Sequence, residues 1–148
     1  MTPPRDRDGA GRARSSRPRD ELGRPLPHGA AGVERAAEGI VRSATQTVAE
    51  AQALLSDGKP FHAHEVFEDA WKSSTKPDDR ALWKAMAQLA VGLTHHARGK
   101  PESGLRLITR GALGLEPFRH QRPHGLDIDA LLIWAETWPA ATLPPLRS

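Results

Sequence analysis

The sequence predicts an all-α protein, a compact bundle of about five helices, and three observations carry that expectation. From Val33 to Trp138 apolar residues recur at intervals of three and four, which is helical spacing. No segment shows the apolar and polar alternation of a strand. Breaks containing glycine, proline or aspartate divide the periodic stretch into helices with short connections. There is no internal repeat and no glycine-rich phosphate loop.

The 148 residues suffice for one domain, and a low-complexity start leaves about 115 of them for the folded part. Residues 1–32, rich in Pro, Gly, Arg and Ser, are expected to be a disordered basic tail, followed by a helical domain over 33–140 and a C-terminal tail over 141–148. The pI of about 9.8 suggests a nucleic-acid partner only until the charge is divided along the chain. Seven arginines against Asp6, Asp8, Asp20 and Glu21 give residues 1–30 a net charge of +3, whereas residues 31–148 carry fourteen basic and fourteen acidic side chains. The folded domain is therefore neutral, and nucleic-acid contact is expected of the tail alone, weakly. The absence of cysteine excludes disulfides, thiolate metal sites and a cysteine nucleophile. No apolar run approaches the roughly 18 to 20 residues of a membrane span, and the arginine-rich start lacks the apolar core of a secretory signal. A cytoplasmic location without membrane contact is the expectation.

The first helix is expected over Val33 to Ser56, stopped by Asp57-Gly58, since glycine takes the left-handed conformation at a helix end without a side-chain clash. Pro60 opens the second helix in its first turn, and Lys76-Pro77 breaks it. Asp78 or Asp79 is the expected N-cap of a third, central helix running to about Arg98, with Leu82, Met86, Leu89 and Leu93 as its main apolar stripe. Gly99-Lys100-Pro101 ends that helix, and Glu102 or Ser103 starts a fourth that lasts to Pro117. After the loop FRHQRPHG, Asp127 caps a last helix closed by Pro139.

Chemistry concentrates in the second helix. Within the eleven residues Phe61 to Trp71 lie two histidines, two glutamates, an aspartate, two phenylalanines and a tryptophan. With Phe61 at zero and about 100° per residue, Val66, Ala70, Ala63, Phe67 and Trp71 fill an arc from about 140° to about 280°. His64 and Glu68 follow at about 300° and 340°, one turn apart and bordered by Trp71 and Phe61. His62, Asp69 and Glu65, between about 40° and 100°, are expected to face solvent. On the central helix Lys84, Gln88 and His95 form a polar stripe, while His96 falls in the apolar arc and is expected in the core. His120 and His124 are expected in a solvated loop.

The spacing H-E-x-x-E from His64 through Glu65 to Glu68 lacks the second histidine of the zinc-protease helix, which argues against that activity. A neutral imidazole and a carboxylate one turn apart can still share a divalent cation, or act as a base and the group that orients it. The resulting expectation is a polar pocket between the second and third helices. Its candidate catalytic pair is His64 and Glu68; its ligand contacts are Glu65, Trp71, Gln88, His95 and Phe61; its metal ligands, for a divalent ion, are His64, Glu68 and His95. The occupant would be a small ligand or that metal ion. The competing reading is a non-catalytic helical interaction module with a protein partner, in which the same residues only tie helices together.

Gly58, Phe61, His64, Glu65, Glu68 and Trp71, followed by QLAVGLTHHARGK and then Gly104 and Leu107, resemble the bacterial and plastid family catalogued as domain of unknown function 309. The resemblance covers roughly Val48 to Leu115. It implies a compact all-helical domain and no established activity, and it puts His95 rather than His96 at the family's histidine position. Phe67 stands where the family usually has an aromatic such as tryptophan, Thr94 where tyrosine is common, and Lys100 where asparagine often follows the glycine.

Overall fold

The computed structural model describes residues 41–147, together with the backbone of a two-residue antiparallel pair, Asp6–Arg7 with Ala13–Arg14. The remainder of the expected disordered tail, and residues 33–40 of the expected first helix, lie outside the described residues. The described domain is all-α. Its helices are α1 (Ala44–Ser56), α2 (Pro60–Ser73), α3 (Pro77–Ala97), α4 (Pro101–Leu115) and α5 (Ile128–Glu136), with single 3-10 turns at Glu116–Phe118 and Pro123–Gly125.

Local chemistry explains each boundary. α1 begins later than its periodicity suggested because Ser43 closes a capping box: its hydroxyl accepts from the Gln46 N–H at 3.1 Å, and the Gln46 side chain accepts from the Ser43 N–H at 2.9 Å. Gly58, at φ +72°, turns the chain into α2 as expected. α3 starts two or three residues earlier than expected and α4 one or two, because Pro77 and Pro101 occupy the first helical position, where a missing N–H costs nothing. Asp78 and Asp79 thus lie in the first turn of α3 and not at its cap. Asp127 does cap α5, accepting from the Ala130 N–H at 3.1 Å.

α3 is the central helix, with α2 on one side and α4 on the other. The α3–α4 seam is tight enough that a Cβ on Gly92 would lie 2.9 Å from the Gly104 carbonyl oxygen, so both helices need glycine at that crossing. Phe67, Leu82, Met86, Ile108 and Leu115 are among the side chains fully buried around α3. Residues 141–147 are not a free tail. Leu146 is buried; its carbonyl accepts from the Asp127 N–H, and its N–H donates to the Gln52 side chain, both at 2.8 Å. The expected domain end at 140 is corrected accordingly: an apolar leucine among prolines was enough to bring the segment back onto α1 and α5.

Candidate functional site

α2 carries two polar faces, and the structure buries the one expected in solvent. His62, Glu65 and Asp69, expected in solvent, are buried, with His62 only 1% exposed. The helix is packed from two sides, by α3 on its apolar arc and by α1 on this one. Arg42, just ahead of α1, makes burial tolerable: its Nη1 donates to Asp69 Oδ2 at 3.0 Å and its Nε to Glu50 Oε2 at 2.6 Å. The Arg42 side chain is 6% exposed and that of Asp69 10%, so this is an ion pair largely withdrawn from water. Sequence reasoning missed the face because it took the arc opposite the apolar side chains to meet solvent.

His64 and Glu68 form the expected pair, and both are half-buried. His64 Nε2 lies 2.9 Å from Glu68 Oε2, and Lys72 Nζ lies 2.6 Å from Glu68 Oε1, giving a ladder of three side chains along one helix. The hydrogen bond from His64, with Lys72 beside it, overcomes partial burial and draws the Glu68 carboxyl down to about 2. A carboxyl depressed in the folded state stabilises fully above its ordinary value of 4.5, and that contribution is lost as pH falls toward about 2. Thermal unfolding of Glu68→Gln should therefore converge with the wild type across that window and lie below it at neutral pH. Parallel curves would mean that the ladder contributes no pH-dependent stability. The other ring nitrogen of His64, Nδ1, is buried and has no hydrogen-bond partner among the described residues.

Lys84 Nζ, on the polar stripe of α3, sits 5.6 Å from the Trp71 ring and the Arg98 guanidinium 5.8 Å from Phe61, so cation–π contacts mark both ends of the α2–α3 edge. Trp71 and Phe61 are half-buried, as is Gln88. His95, however, turns to α4, where its Nδ1 meets Ser103 Oγ at 2.9 Å. Burial lowers the His95 pKa, aided by Arg98, Lys100 and Arg106, so the neutral imidazole predominates at pH 7. Among the described residues no three His, Asp or Glu side chains come together in a way that could hold a metal ion. His64 with Glu68, and His95 with Ser103, thus form two separate contacts.

The remaining histidines also depart from expectation. His96 is exposed and meets Trp138 edge-on, with ring centroids 4.9 Å apart, because the last turn of α3 projects past the core. His120 and His124 do lie in an exposed loop, but each is tied to an aspartate: His120 Nδ1 to Asp129 at 2.9 Å, and His124 Nε2 to Asp79 at 2.8 Å. His124 also stacks on Trp83, which stacks on Phe67.

With this geometry in place, known proteins can be compared. Residues 48–107 match the model of a protein family described as Domain of unknown function (DUF309). "Uncharacterized protein YpuF" of Bacillus subtilis (strain 168) is 30% identical over 69 residues, which are 47% of this chain and 39% of that protein. The match therefore spans less than half the length of that relative. No solved structure matches. No helix among the described residues is long and apolar enough to cross a membrane.

Proposed function

We propose, starting from the match of residues 48–107 to the DUF309 model, that the chain is a non-catalytic helical interaction module whose His/Glu cluster is structural. One observation supports this reading above the others: His64 Nε2, Glu68 and His95 Nδ1 are engaged in separate local pairs. His64 serves Glu68, Glu68 also serves Lys72, and His95 serves Ser103. A binding or catalytic centre needs such groups directed at a shared point where a reacting atom or ion can sit. Here they are distributed along an edge, and their work is to hold α2 in place and to join α3 to α4.

A second reading keeps the small-ligand or divalent-metal pocket at the α2–α3 edge, with His64 as base and Glu68 as its orienting group. What favours it is His64 Nδ1, a buried ring nitrogen without a partner among the described residues; such an atom costs about 1–3 kcal/mol unless something satisfies it. One experiment separates the two. Purified protein is reconstituted with zinc, manganese and iron, analysed for bound metal, and melted with and without each ion beside His64→Ala. The interaction module predicts no stoichiometric metal, an unchanged melting temperature, and a loss of about 1–3 kcal/mol in His64→Ala. Stoichiometric metal that raises the melting temperature of the wild type and not of His64→Ala would overturn it.

A further inference from the structure

The outer face of α4 holds an arrangement that neither the fold nor the His/Glu cluster uses. Four large apolar side chains are exposed among the described residues, and two of them, Leu105 at 49% and Leu113 at 67%, lie on this helix. With Leu105 at zero, Thr109 falls at about 40° and Leu113 at about 80°, so the three form a single i, i+4, i+8 ridge about 12 Å long. Thr109 is exposed as well. Single exposed leucines are ordinary, whereas two on one ridge make a feature that another helix can receive in its groove.

Two arginines flank the ridge, with Glu102 at about 60° at its N-terminal end. Arg106 and Arg110 follow at about 100° and 140°, one turn apart on the same side. Neither has a carboxylate at ion-pair distance among the described residues, although Arg42, Lys72, Arg119 and Arg122 all do. Glu116, at the far end of the helix, is taken by Arg119 at 2.8 Å. Like charges at i, i+4 disfavour a helix slightly, so nothing in the isolated domain gains from this pair.

We propose that the outer face of α4, with Leu105 and Leu113 as anchors and Arg106 and Arg110 beside them, docks an acidic amphipathic helix of a partner protein. The proposal rests on the interaction-module reading and gives it a surface. Charge complementarity selects the occupant: a partner helix carrying apolar residues on one face and Asp or Glu along its edge buries the two leucines and supplies the arginines with carboxylates. An anionic lipid surface fits less well, because recognition of such a surface takes a cluster of about four to eight basic residues and this face presents two arginines.

The test is selection of peptides from a random phage-displayed library on the full chain, with two variants as controls, Leu105→Ser/Leu113→Ser and Arg106→Glu/Arg110→Glu. Both alter exposed side chains, and unchanged melting curves would verify folding. The proposal expects enriched peptides to be acidic and amphipathic and to bind about tenfold or more weakly to each variant, with affinity falling as salt rises from about 0.05 M to about 0.3 M. Enriched peptides that bind both variants as well as the wild type overturn the α4 assignment and leave the interaction module standing. So do enriched peptides that are basic or uncharged. Failure to enrich any peptide overturns it too, and the module itself is then judged by the metal and melting experiment. Binding to vesicles of phosphatidylserine and phosphatidylcholine, lost in the same variants and without peptide enrichment, would assign the face to a membrane instead.

Discussion

Arg42→Ala is expected to lower the unfolding free energy by about 3–5 kcal/mol, the range for breaking one partner out of a buried ion pair. The guanidinium bridges Glu50 and Asp69 with a side chain 6% exposed. Removing it affects the two acids unequally. Glu50, 43% exposed, can turn to water, while Asp69, 10% exposed, loses its Arg42 contact in a site largely withdrawn from water. Asp69→Asn in the Arg42→Ala background should recover part of the loss, because the remaining group is then neutral. Urea unfolding measures both. Lys72→Ala is the contrast: Lys72 is 52% exposed, and its ion pair with Glu68 is worth at most about 1 kcal/mol. A loss in Arg42→Ala no larger than in Lys72→Ala would mean that the buried face of α2 does not depend on this arginine.

Phe67→Ala is expected to cost about 3–5 kcal/mol, as for deletion of a buried aromatic ring that the surroundings cannot replace. Phe67 is 1% exposed and stacks on Trp83 at 6.1 Å, and Trp83 in turn carries His124 at 5.6 Å. The ring also lines a small apolar crevice with Leu55, Met86, Leu93 and Leu146. Truncation would extend that crevice inward and remove one side of Trp83 at the same time, so α2, α3 and the His124 loop should loosen together. Phe67→Trp adds volume to a filled site and should cost about 1–3 kcal/mol. Thermal unfolding monitored by tryptophan fluorescence distinguishes these outcomes.

The helices were legible because their signals are local. Periodicity, the Gly58 turn and the prolines at the starts of α2, α3 and α4 each act within a few residues, and the structure departs from them at ends, where Ser43, Pro77 and Pro101 decided the boundary. The DUF309 resemblance, resting on His64 through Trp71 and the QLAVGLTHHARGK run, was legible for the same reason. The environment of each polar residue was not. A helical wheel locates His62, Glu65 and Asp69 on one arc, but whether that arc meets water or α1 depends on a contact made 27 residues away, by Arg42 with Asp69. His95 illustrates the same limit. Its position on the α3 stripe was read correctly, yet its partner, Ser103, belongs to the next helix, and only the Gly92–Gly104 approach brings α4 close enough to claim it.

The account stands on His64 and His95 serving separate local contacts, and a double-mutant cycle tests that directly. Unfolding free energies are measured for the wild type, His64→Ala, His95→Ala and the double variant. Separate pairs predict that the two losses add to within about 0.5 kcal/mol. A coupling of about 1 kcal/mol or more, above all one that appears when zinc, manganese or iron is added, would mean that the two histidines share a site, and would contradict the structural role assigned to them here.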